Sequence, residues 1–262
     1  MTTTDPVLLR DDDNGITTLT LNRGDKFNAL SSELMGAIQR QLHDIADDKT
    51  VRVVIVKGQG KAFSAGHDLS ELMTDPGEQA MRALFKQCSN MMITITKLPQ
   101  PVIACVQGVA AAAGCQLVAQ CDLAVAADHV KFGTSGVNLG LFCSTPMVAV
   151  TRNVGRKQAM EMLLTGDMID ADKALQIGLL NNIVPLDELD GAVNDLAHRV
   201  AKQSTAAIRL GKQLFYKQIE HGLDAAYDMA ADVITCNMQS KDAREGIQAF
   251  LNKQPMPPWK DE

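Results

Sequence analysis

The sequence lacks any apolar run near the roughly 20 residues that a membrane-spanning helix needs. Its first residues, MTTTDPVLLRDDD, also lack the basic start and the apolar stretch of a secretory signal peptide. Lysines and arginines are scattered along the chain and are outnumbered by acidic residues, which gives a formal net charge of -6. Nucleic-acid binding needs basic residues concentrated on one face. These absences predict a cytoplasmic protein that binds neither membranes nor nucleic acids.

Local patterns for metal binding and disulfides are also missing. The five histidines are dispersed, and no cysteine belongs to a Cys-x-x-Cys pair or has a histidine at zinc-ligand spacing. Most of the cysteines fall inside apolar stretches, so we expect buried free thiols. The six cysteines are Cys88, Cys105, Cys115, Cys121, Cys143 and Cys236. The sequence therefore predicts no bound metal.

The sequence does contain enough apolar material for a full core. Of its 262 residues, 46% are hydrophobic, and this size fits one large domain or a domain with a short appendage. Short β-branched runs predict strands at residues 16–22, 51–58, 101–106 and 122–126, with a helix at residues 31–46. Because the later strands are apolar on both faces, we expect an α/β fold whose sheet is covered by helices.

The periodicity becomes helical throughout from about Pro185 and stays so almost to the Pro-rich end, QPMPPW. We therefore divide the chain into a core, residues 1–200, and a C-terminal helical region, residues 201–262. No repeat or long linker separates the two. The helical region is expected to pack on its own core or on a neighbouring subunit.

Two segments place small residues where a strand meets a helix, and main-chain amides can approach a ligand closely at such junctions. The first, FSAGHDL at residues 63–69, has a glycine turn that exposes the amide of His67. The second, QGVAAAAGCQL at residues 107–117, enters a helix almost without side-chain bulk. An amide there, such as that of Ala113, would carry the positive end of the helix dipole. Taken singly, a tight turn explains the first segment and close helix packing explains the second.

Together with KFNAL at residues 26–30, and with residues 246–250 and Lys253 near the end, these segments resemble the crotonase (enoyl-CoA hydratase/isomerase) superfamily. The resemblance covers essentially the whole chain, in the right order and at the right separations. It implies a spiral core of ββα units and trimers, or dimers of trimers, formed through the C-terminal helices. It also implies an acyl-CoA thioester as ligand, so that coenzyme A enters as part of the substrate and is not a permanently bound cofactor.

The resemblance also assigns roles to individual residues. The amides of His67 and Ala113 would form an oxyanion hole for the thioester carbonyl, and each such donor is worth about 3 kcal/mol in comparable acyl-transfer sites. The residues that would bind the coenzyme A moiety are Lys26, Ala29, Ala65, Asp68, Leu69, Phe250 and Lys253, the last two from the C-terminal region of the same chain or of a neighbour. Taken alone, Lys26 and Lys253 would more often be solvated surface lysines.

Hydratases of this family use two glutamates to activate water and to protonate the substrate, and neither glutamate is present here. The motifs align Gln116 with the first glutamate and Gly136 with the second. An amide does not exchange a proton near neutral pH, and glycine has no side chain. The paired-carboxylate route to hydration is therefore unavailable at these positions, and the single-base route of the isomerases is weakened equally.

The segments SAGHDL and VNLG resemble the methylmalonyl-CoA decarboxylase branch of the superfamily, in which a histidine lies beside the oxyanion hole and a tyrosine follows the VNLG turn. Cys143 occupies that tyrosine position here. Decarboxylation generates an enolate without a strong base, so His67 could orient a carboxylate and Cys143 could donate a proton. A buried structural cysteine is the simpler explanation of Cys143.

The stretches SAGHDL, AAAAGCQLVA and GLFCSTP resemble a vertebrate mitochondrial subfamily, the third type of enoyl-CoA-hydratase-domain-containing protein. Three functions stay open: an enzyme acting on an acyl-CoA, a non-catalytic acyl-CoA-binding protein, and an interaction protein assembled by its C-terminal helices. The first two differ in whether the α-proton of a bound thioester exchanges with solvent. The third predicts no affinity for coenzyme A.

Overall fold

We describe residues 5–260 of the chain from a computed structural model. Residues 1–4 and 261–262, at the outer ends of the two predicted regions, lie outside the described part. The strands are β1 (Leu8–Asp13), β2 (Ile16–Leu21), β3 (Val53–Gly58), β4 (Ala62–Ser64), β5 (Val102–Val106), β6 (Val109–Ala111), β7 (Leu123–Ala127), β8 (Lys131–Gly133), β9 (Ile169–Asp170) and β10 (Asn182–Val184). The helices are α1 (Ser32–Asp47), α2 (Leu69–Thr74), α3 (Glu78–Lys97), α4 (Ala113–Gln120), α5 (Ser144–Asn153), α6 (Arg156–Thr165), α7 (Ala171–Gln176), α8 (Leu189–Ala201), α9 (Thr205–Gln218), α10 (Leu223–Met238) and α11 (Lys241–Leu251).

Two sheets form the centre of the fold. The larger has the strand order β1-β2-β3-β5-β7-β10, and the smaller has the order β4-β6-β8-β9. The pairs β3/β4, β5/β6 and β7/β8 each give one strand to each sheet, and a helix follows each pair. Within each sheet the strands of successive pairs run parallel. This is a spiral of ββα units, so the predicted α/β fold is confirmed.

The predicted strands are confirmed as β2, β3, β5 and β7, and the predicted helix as α1, to within about two residues at each end. Side chains of β3, β5 and β7 are almost all buried, and α8 packs across these three strands. Helices therefore cover the larger sheet, as expected from strands that are apolar on both faces. Among the helices within residues 5–260, none is both long and apolar enough to cross a bilayer.

Two features differ from the sequence-based expectations. β1 is an additional antiparallel edge strand that pairs with β2. It is joined to β2 by Asn14 and Gly15, which both have positive φ angles and form the tight turn that Asn-Gly favours. The expectation of buried thiols is wrong for Cys236, which is exposed on α10, because α10 has no buried residue in the single chain. The other five cysteines are free and buried.

Two glycines allow the layers to approach closely beside the start of α4. A Cβ atom at Gly108 would collide with the carbonyl oxygen of Lys61, and one at Gly114 would collide with the carbonyl oxygen of Ser64. No side chain larger than hydrogen fits between β4 and the first turn of α4. The absence of side-chain bulk in residues 107–117 thus brings the N-terminus of α4 against the end of β4.

A buried ion pair fixes α9, the first helix after α8, to the core. Lys212 on α9 donates hydrogen bonds to the carbonyl oxygens of Ile95 and Gln100, at 2.9 Å each, and to Asp122 Oδ2 at 2.6 Å. Tyr216, one turn later, donates to Asp122 Oδ1 at 2.8 Å. All three N–H groups of the ammonium are used, which offsets the cost of burying its charge. The predicted division of the chain at residue 200 stays a prediction.

We expect the substitution Lys212→Met to lower the free energy of unfolding by about 3–5 kcal/mol, because it leaves the largely buried Asp122 carboxylate without its cation. Urea denaturation followed by far-ultraviolet circular dichroism measures this change. Lys57→Met is the matched control, since the partner of Lys57 is the exposed Asp190 and such pairs contribute less than about 1 kcal/mol. Equal denaturation midpoints for the two variants would contradict the proposed anchoring of α9.

Candidate active site

A cavity of about 780 Å³ lies beside the start of α4. The predicted site residues that line it are Lys26, Ala29, Ala65, His67, Asp68, Leu69, Ala113, Gly136 and Cys143. The structure therefore brings together four segments that are far apart in the sequence: the loop before α1, the turn after β4, the start of α4 and the loop before α5. The other predicted residues, Gln116, Phe250 and Lys253, do not line this cavity.

The loop before α1 is tied to the turn after β4 by main-chain hydrogen bonds. The N–H of Ala65 donates to the carbonyl oxygen of Phe27 at 3.0 Å, and the N–H of Leu30 donates to that of Gly66 at 2.8 Å. Asn28 is fully buried, and its amide group donates to the carbonyl oxygens of Gln59 and Ala62 at 2.8 Å each. Its left-handed φ of 51°, which Asn tolerates better than most residues, is held by these bonds.

The turn after β4 and the start of α4 touch each other. Gly66 has a φ of 96°, and a Cβ atom there would lie 3.2 Å from the Ala113 nitrogen. The β-bridge between Leu30 and His67 uses the N–H groups of Leu30 and Asp68 and leaves that of His67 free. Ala113 is the first residue of α4, so its N–H has no acceptor inside the helix. Within residues 5–260, neither of these two N–H groups makes a hydrogen bond.

The residue before α4 is held in a strained conformation. Ala112 has φ 48° and ψ -116°, a region that residues other than glycine rarely adopt. Its own N–H donates to the carbonyl oxygen of Gly133 on β8 at 2.8 Å, which fixes it to the smaller sheet. Such strain costs about 1–3 kcal/mol and persists where the surrounding structure enforces it, often at functional sites. Here it sets the direction of the first free amide of α4.

Asp68 has a structural role that the sequence did not reveal. Its Oδ2 lies 3.0 Å from Nη2 of Arg23, and Nη1 of Arg23 donates to the carbonyl oxygen of Ala29 at 2.8 Å. Its other oxygen accepts from the N–H and hydroxyl of Ser70 and so caps α2. Hydrogen bonds from Ser70 and Arg23 lower the pKa of Asp68, which keeps the carboxylate charged. Asp68 thus joins both sides of the cavity wall.

His67 contributes a side chain to the cavity as well as an amide. Its ring packs edge-on against Phe85, with the ring centroids 5.3 Å apart. Both ring nitrogens are buried and make no hydrogen bond of ordinary geometry within residues 5–260. Burial lowers the pKa of His67, an effect that the main chain at Leu30 and the Glu71 carboxylate oppose. At neutral pH the ring is therefore uncharged, with one N–H donor and one acceptor nitrogen.

The two positions aligned with the hydratase glutamates differ in their surroundings. A Cβ atom at Gly136 would lie 2.7 Å from the carbonyl oxygen of Leu141 and 2.8 Å from Cys143 Sγ, so this backbone leaves no room for a glutamate. Gln116 is buried on α4, and its carbonyl oxygen, Oε1, has no hydrogen-bond partner within residues 5–260. It lines a neighbouring cavity that shares Thr145 with the first.

Cys143 is buried beside Gly136, whose N–H points to its sulfur at 3.3 Å. Burial raises the pKa of the Cys143 thiol, so the protonated form dominates at neutral pH. The group is therefore a weak nucleophile and a source of one proton. Among residues 5–260, no three His, Cys, Asp or Glu side chains are grouped to hold a metal ion.

The two C-terminal residues of the predicted site lie elsewhere in the single chain. Phe250 on α11 lines a separate groove with Met256 and Trp259. Lys253 follows α11 as an exposed residue. The sequence missed Leu72, Phe85 and Leu139, which complete the apolar wall of the cavity. Nothing in the local sequence marks Leu72 and Phe85, and Leu139 belongs to the VNLG motif without having been assigned to the site. The packing of α2, α3 and the Ser135–Leu139 turn brings the three side chains there.

Comparisons with known proteins agree with this architecture. The family described as enoyl-CoA hydratase/isomerase matches residues 11–262. The human protein named enoyl-CoA hydratase domain-containing protein 3, mitochondrial, is 45% identical over 249 residues, which cover 95% of this chain and 82% of the relative. Its Danio rerio counterpart is 45% identical over 251 residues, which cover 96% of this chain and 86% of that relative. The predicted cytoplasmic location of this chain stays a prediction, since both relatives are named mitochondrial.

Solved structures give the same result. The enoyl-CoA hydratase of Mycobacterium smegmatis superimposes with a TM-score of 0.96 at 47% identity, covering 97% of this chain and 99% of that one. Human enoyl Coenzyme A hydratase domain-containing protein 3 superimposes with a TM-score of 0.93 at 42% identity. The match covers 96% of this chain and 99% of that one. With these matches over nearly the whole length, the chain belongs to the enoyl-CoA hydratase/isomerase family of the crotonase superfamily.

Proposed function

We propose that this protein is an enzyme that binds an acyl-CoA thioester in the 780 Å³ cavity and stabilises its enolate. The thioester oxygen would lie between the N–H groups of His67 and Ala113. One observation carries this proposal: these two amides lie on turns that touch each other, and neither has a hydrogen-bond acceptor within residues 5–260. Preorganised donors of this kind stabilise the charge that develops in a transition state.

The electrostatics around the two amides favour an anion. The N–H of Ala113 carries the positive end of the α4 dipole, and no acidic residue lies in the first turn of that helix. Lys26 is exposed at the cavity, and its charge suits the phosphates of coenzyme A. Ala29, Ala65 and Leu69 would line an apolar path for the rest of the coenzyme A moiety. Asp68 would act indirectly, through its bonds to Arg23 and Ser70.

The available proton carriers restrict the reaction. Gln116 and Gly136 cannot supply the paired carboxylates of a hydratase. The neutral imidazole of His67 is the one base that we assign to the site, and the Cys143 thiol is a potential acid. The protein would thus be hydratase-like in its binding of the thioester, with a different route for the proton.

The unpartnered ring of His67 favours a second candidate, decarboxylation of an acyl-CoA of the methylmalonyl type. A substrate carboxylate would accept the hydrogen bond that the ring N–H lacks within residues 5–260. Breaking the carbon–carbon bond releases carbon dioxide and leaves its electron pair in the enolate, which then takes a proton at the α-carbon from Cys143 or water. A third candidate is a non-catalytic acyl-CoA-binding protein.

We expect the protein to leave the conjugated double bond of crotonyl-CoA intact under conditions in which a glutamate-containing hydratase removes it, because the paired carboxylates are absent. Ultraviolet absorbance follows this reaction. The same preparation is then tested for release of carbon dioxide from methylmalonyl-CoA, which would identify the second candidate. Rapid loss of the crotonyl-CoA absorbance would contradict the assignment and point to His67 or a nearby hydroxyl as a replacement. Gly136→Glu should not restore hydration, since its side chain has no space.

We expect the α-protons of bound butyryl-CoA to exchange with deuterium from solvent, with His67 as the base. Ala113→Pro removes one amide at a helix position that accepts proline, and it should slow the exchange by about 10²- to 10³-fold. Because burial lowers the pKa of His67 below its ordinary 6.5, the rate should fall as the pH is lowered, with a midpoint below pH 6.5. Mass spectrometry measures the exchange.

The affinity for free coenzyme A is the control for the Ala113→Pro variant, and it should not change. Binding of butyryl-CoA without any exchange in the unmodified protein would instead assign it the non-catalytic role. Absence of affinity for coenzyme A and its thioesters would sink the proposed function as a whole.

We also infer that the protein forms a homotrimer or a dimer of trimers. The C-terminal helices expose large apolar side chains: Leu223 is 72% exposed and Tyr227 is 69% exposed on α10, and Phe250 is 72% exposed on α11. Large apolar side chains exposed in this number are typical of surfaces that contact other subunits. We expect sedimentation velocity to give a mass about three or six times the 28.3 kDa of the chain. A species of one chain mass at micromolar concentration would disprove the inference.

A further inference from the structure

Cys143 is the cysteine that lines the candidate active-site cavity. The residue is 7% exposed, whereas Cys115 on α4 is fully buried and is absent from the cavity wall. His67 and Ala113 line the same cavity, and their N–H groups have no acceptor within residues 5–260. A nucleophilic atom and two free amides therefore border one space.

The sulfur of Cys143 occupies space that a side chain at Gly136 would otherwise fill. A Cβ atom at Gly136 would lie 2.8 Å from Cys143 Sγ. Gly136 also lines the cavity, so the sulfur lies at the cavity wall and not behind it. No carboxylate extends from position 136 here, and the thiol is the reactive group that the structure places there instead.

The surroundings of the sulfur would stabilise negative charge that develops on it. The N–H of Gly136 donates to Sγ at 3.3 Å. Cys143 is also the N-cap residue of α5, a helix of ten residues with no acidic residue in its first turn, so the positive end of the helix dipole lies at the sulfur. Burial raises the pKa of the thiol, and the Gly136 N–H opposes this effect. The resting thiol thus keeps its proton, and charge on the sulfur would be favoured only while it reacts.

We propose that the Cys143 thiol adds to the β-carbon of an α,β-unsaturated acyl-CoA bound in this cavity and forms a covalent thioether. Sγ bonds to the β-carbon, and the electron pair of the double bond moves into an enolate, which the N–H groups of His67 and Ala113 stabilise. The α-carbon then takes the proton that the thiol gives up. No atom leaves, and no further reactant is needed. This proposal rests on the proposed function, because it requires the thioester oxygen to lie between the two amides.

The reaction would make Cys143 a modification site for electrophilic thioesters. The product is a saturated acyl-CoA attached to the protein, so each chain captures one ligand and its cavity is then blocked. Hydration differs, because water adds and the product leaves. With crotonyl-CoA in excess, the addition to Cys143 removes at most one equivalent of the conjugated double bond per chain, which distinguishes it from turnover.

The test incubates the wild-type protein with acryloyl-CoA and locates the adducts by mass spectrometry of the intact chain and of its peptides. Cys143 should gain the whole mass of acryloyl-CoA at least about tenfold faster than the exposed Cys236, because binding raises the local concentration of the ligand. Saturating butyryl-CoA, which has no double bond, should protect Cys143 and leave the reaction of Cys236 unchanged. Acrylamide, an acceptor of the same kind without coenzyme A, should modify Cys236 first.

Variants separate the thiol from the amides. Cys143→Ser should abolish the fast adduct, and Cys236→Ser is the matched control that should keep it. Ala113→Pro should slow the reaction of Cys143 by about 10²- to 10³-fold, because it removes one of the two donors to the enolate. Thermal unfolding followed by circular dichroism establishes that each variant is folded, and the protection of Cys143 by butyryl-CoA needs no variant at all.

Two results would overturn the proposal. One is a wild-type protein that binds butyryl-CoA in calorimetry and yet leaves Cys143 unmodified by acryloyl-CoA. The other is an adduct at Cys143 that butyryl-CoA does not prevent, since the reaction would then occur without a bound thioester. Failure of the proposed function has a different signature, because butyryl-CoA would then show no binding in the calorimeter.

Discussion

The candidate site depends on one close contact between two main-chain segments. The N-terminus of α4 lies against the end of β4 because Gly114 has no side chain to collide with the Ser64 carbonyl oxygen. The same contact places Gly66 against the nitrogen of Ala113, so that two amides from distant parts of the chain lie next to each other without acceptors. A methyl group at Gly114 would separate the two turns and remove the anion-binding geometry.

The surrounding structure maintains this contact at some cost. Ala112 stays in a strained conformation because β8 binds its N–H, and the Arg23–Asp68 pair ties the loop before α1 to the turn that carries His67. On the far side, the Lys212–Asp122 pair holds α9 over the neighbouring cavity that Gln116 lines. The two free amides of His67 and Ala113 thus belong to a rigid framework, which is the condition for preorganised electrostatic stabilisation.

The framework is retained while the proton-transfer groups differ from those of a hydratase. Leu141 and Cys143 occupy the space that a side chain at Gly136 would need, so replacing that glycine alone would not restore a carboxylate. Gln116, at the position of the first glutamate, is buried and cannot exchange a proton near neutral pH. In the proposed function, binding of the thioester and chemistry at its carbons are therefore separable, and the shared fold supports the ligand better than the reaction.

The sequence by itself determined the α/β class and the positions of β2, β3, β5, β7 and α1, because alternation and β-branching are local signals. The ββα spiral and the family were implied by the resemblance of its motifs to the crotonase superfamily. It also pointed to nine of the residues that line the cavity, His67 and Ala113 among them, since the glycine turns constrain the backbone locally. Only the tertiary structure decided that Phe85 joins the site, that Phe250 and Lys253 lie away from it in the single chain, and that Gln116 lines a neighbouring cavity, with no hydrogen-bond partner for its Oε1 among the described residues. These outcomes depend on how α3, α9 and α11 pack against distant segments, and no short stretch of sequence encodes such packing.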